Sequence, residues 1–133
     1  MDDPATVHAA FDRREARLGT AVIGLALNCE DRGAVVDVIV RAFRTGDSGL
    51  VEGAFVAMGH FFRLDREIPP ALGLILRESC RADVVHWALS DAIVYIRFRQ
   101  KPLWLKRITV QKWCHWHLVE RWSDTFARLP WPQ

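Results

Sequence analysis

Lysine is missing from the first 100 residues of this 133-residue chain; its three lysines are Lys101, Lys106 and Lys112. Cysteine is scarce and odd in number. Cys29, Cys80 and Cys114 lie far apart, which excludes a disulfide framework and reads as reduced, mostly buried, small apolar residues. The longest apolar run, near Gly19–Leu27, falls far short of the roughly 20 residues a membrane span needs. Met1-Asp2-Asp3-Pro4 is acidic where a secretory signal would be basic. The expected compartment is the cytoplasm, with no membrane partner. No glycine-rich phosphate loop, G-x-S-x-G elbow, H-E-x-x-H or Cys-x-x-Cys occurs. No catalytic, cofactor-binding or metal-binding residue is therefore assigned.

What is there is enough for one domain over residues 1–133, able to bury about two-thirds of its unfolded surface. Half the residues are apolar and about a quarter charged, as in ordinary globular proteins. The charge is unevenly placed. Residues 1–96 carry 10 Lys+Arg against 14 Asp+Glu, a net of −4, and residues 97–133 carry 8 against 2, a net of +6. Trp113, Trp116, Trp122 and Trp131 crowd the same basic end.

Apolar periodicity is helical nearly throughout. Asp3 or Pro4 opens a segment with Val7, Ala10, Phe11 and Leu18 on one side. It runs through Gly19 to Leu27 as a broken helix or two short ones. Asp31 is placed to cap a helix over Arg32–Arg44 that buries Val36, Ile39, Val40 and Phe43. Asp37 can pair with Arg41 one turn on. Thr45–Gly49 is a turn and cap cluster. Leu50, Ala54, Ala57, Met58, Phe61 and Phe62 then recur along a central helix over Leu50–Leu64. Gly53 and Gly59 cost that helix roughly 1 kcal/mol each against alanine, which makes sense where another helix packs close.

After a loop, Pro70 opens a helix to Ser79 that buries Leu72, Ile75 and Leu76. Arg81–Asp83 is a tight connection. A helix over about Val84–Phe98 buries Val85, Leu89, Ala92, Ile93 and Ile96, and Lys101-Pro102 ends it. Residues 103–112 read as strand or helix, with Ile108-Thr109-Val110 leaning to strand. Trp113–Leu129 reads as an amphipathic helix stopped by Pro130 and Pro132, its tryptophans closing the core.

The stretches Ala21–Ala26, Ala54–Gly59 and Ala88–Ile93 stand 33 and 34 residues apart. Such a period marks stacked helix pairs that share one core. The expected fold is all-α: a short α-solenoid of about three helix pairs over residues 19–99, with a basic, Trp-rich closing segment over 100–133.

Ala54, Met58, Gly59, His60, Phe61 and Arg63, followed by Ala88, Leu89, Asp91 and Ile93, form a pattern. Leu25–Phe98 resembles, through that pattern, a group of small bacterial proteins with HEAT-like repeats. The run Leu25–Arg32 looks like that group's repeat junction, and the segment after Arg99 departs from it. Members look like immunity proteins of toxin systems. The resemblance implies a non-catalytic protein that binds and blocks a toxin domain, with Gly59, His60, Arg63 and Asp91 as its structural motif.

The residues themselves leave several readings. His60 fits a ring that locks a neighbouring helix end better than a catalytic base, since no nucleophile stands at a useful spacing. Asp91, in an apolar helix, needs a partner, and His60 or Arg63 can supply one. Cys114-His115-Trp116-His117 lacks the two separated ligand pairs of a zinc site. The basic end admits core closure, self-association against an acidic body, or nucleic-acid binding as the alternative function. An acidic binding face can be drawn from Glu30, Asp31, Asp37, Glu52, Asp65, Glu67, Glu78 and Asp83. Facing a cationic partner, it would speed encounter.

Overall fold

The computed structural model describes residues 3–80 and 85–127, with side chains described as far as His117. Among the described residues there are seven α-helices and no strand. They are α1 (Pro4–Arg13), α2 (Leu18–Asn28), α3 (Arg32–Arg44), α4 (Ser48–Asp65), α5 (Pro70–Ser79), α6 (His86–Tyr95) and α7 (Leu103–Ala127), with a 3₁₀ turn at Phe98–Gln100. The chain divides into two compact units, Met1–Gln100 and Lys101–Gln133. Among the described residues no helix is long and apolar enough to cross a membrane.

Aspartates cap the starts of α1, α3 and α4. Asp3 accepts from the Thr6 N–H at 2.9 Å, Asp31 from Ala34 at 3.0 Å and Asp47 from Leu50 at 2.9 Å. Each thereby satisfies a backbone donor that has no partner inside its helix. Pro70 begins α5 as the sequence predicts. The Arg81–Asp83 connection and the Pro130 and Pro132 stop lie outside the described residues.

α4 is the centre of the first unit. It packs against α2 on one side and α6 on the other, and also against α3; α1 meets α3, and α3 meets α5. The recurring motif stands at matching places on α2, α4 and α6. Ala21, Ala54 and Ala88 are buried, and so are Val22, Phe55 and Leu89, and Leu25, Met58 and Ala92. The two central glycines do what their spacing predicts. A Cβ on Gly53 would lie 2.8 Å from Gly19 Cα of α2. One on Gly59 would lie 2.8 Å from Asp91 Oδ2 of α6.

Four expectations need correction. Residues 103–110 are helical, not strand. Thr109 satisfies its hydroxyl on Leu105 O at 2.7 Å, and Pro102 O accepts from both Leu105 and Lys106. With local partners made and no strand to pair with, the β-branched run stays in the helix. The buried face of α3 is Val35, Val38, Ile39 and Ala42, with Val36, Val40 and Phe43 only half-buried. α3 touches α1, α2, α4 and α5, so its neighbours choose its face over its own apolar pattern. α6 is shorter than predicted, because Ile96 turns extended and ends it. Of the cysteines Cys29 is buried, whereas Cys80 is half-buried and Cys114 exposed.

Candidate functional site

Three arginines in the first unit share one arrangement, a guanidinium over a ring with a carboxylate alongside. Arg41 of α3 sits 4.9 Å from the Phe11 ring centre of α1 and pairs with Asp12. It also donates to His8 Nδ1 at 2.9 Å, so it is drawn to α1, and the predicted Asp37–Arg41 pair is absent. Arg32 sits 4.7 Å from the Phe61 ring centre. It bonds both carboxylate oxygens of Asp65 and the carbonyls of Ala26 and Cys29 at 3.0 Å each. Arg63 lies 5.3 Å from the Tyr95 ring centre and donates to both Asp91 oxygens, at 3.2 and 3.1 Å.

The structure thus brings Gly59, Arg63 and Asp91 together. The missing Gly59 side chain leaves room for the Asp91 carboxylate, and Arg63 supplies the charge that lets it be half-buried. His60 stays outside this cluster. Its ring makes no hydrogen bond among the described residues, so it does not lock a helix end and does not pair with Asp91.

The predicted acidic face is only partly assembled. The Arg32–Asp65 pair draws the Glu30–Arg32 segment to the Asp65–Glu67 segment. Glu30, Asp31, Asp65 and Glu67 therefore share one edge. Asp31 is used as a cap and Asp65 as the partner of Arg32, leaving Glu30 and Glu67 exposed. Glu78 lies eight residues into α5 from Pro70, about 12 Å along that helix. Asp37 is exposed on α3, and Asp83 lies outside the described residues.

Sequence reasoning missed a cleft of about 920 Å³ beside the α1–α2 connector. Its apolar lining comes from Phe11, Leu18, Ile23, Leu50 and Val56. The connector contributes Arg14, Glu15 and Arg17; the α3–α4 turn and first turns of α4 contribute Asp47 and Glu52. Gly19, Gly49 and Gly53 also line it, at the close approach of α2 and α4. Arg14 and Arg17 both take left-handed backbone conformations, with φ 52° and 70°, which cost a non-glycine residue roughly 1–2 kcal/mol each.

At Arg14 the strain serves the end of α1, where the Arg14 N–H reaches Phe11 O and the Glu15 N–H reaches Ala10 O. Glu15 is held by Arg13 at 2.6 Å. Arg14, Arg17 and Glu52 have no side-chain ion partner among the described residues. The cleft's lining holds no histidine or cysteine, so the arrangement suits holding an apolar group with charged neighbours. The one sequence signal was a connector, Arg13–Arg17, that turns between helices without a glycine.

In the second unit, Cys114, His115, Trp116 and His117 are all exposed. Among the described residues no group of three or more His, Cys, Asp or Glu could hold a metal ion. Trp113 and Trp116 are 63% and 66% exposed, correcting the expectation that they close a core. The rings of Trp113 and His117, one turn apart, meet tilted at 60° with centres 4.3 Å apart. The side chains of Val119, Trp122 and Phe126 lie outside those described. Compared with known proteins, the chain matches no family model, no curated protein and no solved structure.

Proposed function

We propose that this chain is a non-catalytic binding module that docks a partner protein, the toxin domain implied by its resemblance to immunity proteins. The cleft beside Arg14 and Arg17 carries the reading. It offers an apolar lining for a partner's side chains, two unpaired cations on one element and an unpaired carboxylate on another. Glu30 and Glu67 on the edge that Arg32 and Asp65 hold together are the acidic residues left free to steer a cationic partner.

The underlying scaffold is read as a HEAT-like α-solenoid of about three helix pairs. In support, α2, α4 and α6 pack in succession, as do α1, α3 and α5. Two arginine contacts also recur at the repeat period: His8–Arg41 and Arg32–Asp65 each span 33 residues. Arg63 holds the carboxylate of Asp91, leaving His60 without an acid partner, which supports a scaffold role for the motif over acid–base catalysis.

Co-expression with the toxic product of a neighbouring reading frame tests the proposal. The expected result is rescue of growth and co-purification of the two proteins. Arg14→Glu with Arg17→Glu should weaken the complex tenfold or more with far-UV circular dichroism unchanged. Absence of rescue by the wild-type chain, or a complex indifferent to those reversals, overturns it.

A further inference from the structure

The proposed docking sets two charge requirements on one partner. Glu30 and Glu67 steer a cationic protein, yet the cleft that holds it presents Arg14 and Arg17. A docking element of one sign cannot satisfy both. The carboxylates of the cleft are not equivalent either. Glu15 is held by Arg13 at 2.6 Å, and Asp47 caps α4 by accepting from the Leu50 N–H. Glu52 is exposed, and among the described residues its side chain has no ion partner. Two cations on the connector and one carboxylate on α4 thus share a cleft with the apolar groups of Phe11, Leu18, Ile23, Leu50 and Val56. Chain connectivity bounds their separation. A Cβ on Gly53 would lie 2.8 Å from Gly19 Cα, Arg17 is two residues before Gly19, and Glu52 immediately precedes Gly53. At about 3.8 Å per residue the Arg17 and Glu52 Cα atoms are within about 16 Å, roughly three turns of a helix.

That pattern of charge narrows the occupant. A second copy docked cleft to cleft sets hollow against hollow and leaves the apolar lining unfilled. Nucleic acid satisfies the arginines but meets the carboxylates of Glu15, Asp47 and Glu52. A free small molecule leaves the charges in water, where an ion pair is worth no more than about fivefold in affinity. A projecting protein segment does both tasks at once. It fills the apolar lining and covers the charges, and oppositely charged pairs strengthen as water leaves them.

We infer that the partner docks through a segment bearing an apolar side chain between a carboxylate and a cation. Its carboxylate meets Arg14 and Arg17, and its cation meets Glu52. Glu52 thereby determines specificity: it rejects a wholly acidic segment, as the two arginines reject a wholly basic one. The inference rests on the protein-docking reading of this cleft.

Binding kinetics of the full chain with the toxic product of the neighbouring reading frame test it. Glu52→Gln should raise the dissociation rate about fivefold and Glu52→Lys about tenfold or more. Far-UV circular dichroism should be unchanged in both, because Glu52 is exposed. A complex weakened by Arg14→Glu with Arg17→Glu but indifferent to both Glu52 substitutions overturns the inference and leaves the docking reading standing. Tighter binding by Glu52→Lys also overturns it, since the segment is then wholly acidic. So does a loss confined to the association rate, which gives Glu52 a steering role alongside Glu30 and Glu67. No complex with the wild-type chain removes the docking reading and the inference together.

Discussion

Replacing Gly53 with alanine puts a methyl carbon 2.8 Å from Gly19 Cα, 3.1 Å from Gly19 O and 3.2 Å from Gly19 C. All three are backbone atoms of α2, so no side chain can swing aside. Comfortable carbon–carbon contact needs about 3.5–4.0 Å. The two helices must therefore part by on the order of 1 Å along that line. The same two helices bury Val22, Leu25, Ala54 and Met58, and parting them loosens that packing. Overpacking of this kind costs about 1–3 kcal/mol, and a backbone obstacle belongs at or above the upper end. Alanine recovers roughly 1 kcal/mol of helix propensity. The expected net is a loss of about 2 kcal/mol, or roughly 6–8 °C in Tm for a domain of this size.

Gly24→Ala in α2 is the matched control, because a Cβ there meets nothing within 4 Å. It should gain about 0.5–1 kcal/mol through propensity alone. Urea and thermal unfolding followed by far-UV circular dichroism would measure both. A Gly53→Ala variant as stable as the parent would refute the close approach of α2 and α4. Equal losses at both positions would show that helix-wide effects, not contact, decide the outcome.

Two further outcomes follow from the same packing. Arg32→Ala leaves the half-buried Asp65 unpaired and strips two carbonyls of their donor. Discounted for partial exposure, the loss should be about 2 kcal/mol in urea unfolding, partly restored by adding Asp65→Asn; a loss below about 0.5 kcal/mol would sink the assignment. Bonds from the Thr6 hydroxyl and then the Thr6 N–H hold the Asp3 carboxyl below its ordinary pKa. A carboxyl depressed in the folded state stabilises it above the unfolded value near 4, and that contribution disappears as pH falls through the folded value. Amide exchange at the start of α1 should accelerate across that window in the parent and not in Asp3→Asn, which caps without titrating; identical profiles would remove Asp3 as the cause.

Much of the first unit was legible because its signals are local. Asp31 and Thr45–Gly49 mark helix boundaries through bonds made within four residues, and Pro70 marks one through its fixed φ and missing N–H. The glycines of α4 announced close neighbours because only contact justifies their cost in a helix. Asp91 announced a partner because a carboxylate in an apolar helix needs one, but the choice of Arg63 over His60 required α4 and α6 in register. The charge contrast between residues 1–96 and 97–133 was equally plain.

Tertiary structure decided what depends on neighbours distant in sequence. α3 has apolar residues on more than one side, so which of them are buried follows from the helices around it. Arg41 could have paired within its own helix, but the ring of Phe11 with Asp12 and His8 offered it more. The cleft could not be read from the chain, since Arg14 and Glu52 come together only after α2 and α4 meet at Gly19 and Gly53. Ile108-Thr109-Val110 had no strand to join, so a local helix won over β-propensity. Trp113 and Trp116 carry the composition of a core, yet composition cannot say whether a surface arrives to cover them. The sequence by itself determined where helices begin, where charge gathers and which positions demand contact, because those depend on groups a few residues apart. Only the assembled helices decided which faces are buried and which clefts stay open, because both are properties of pairs of surfaces.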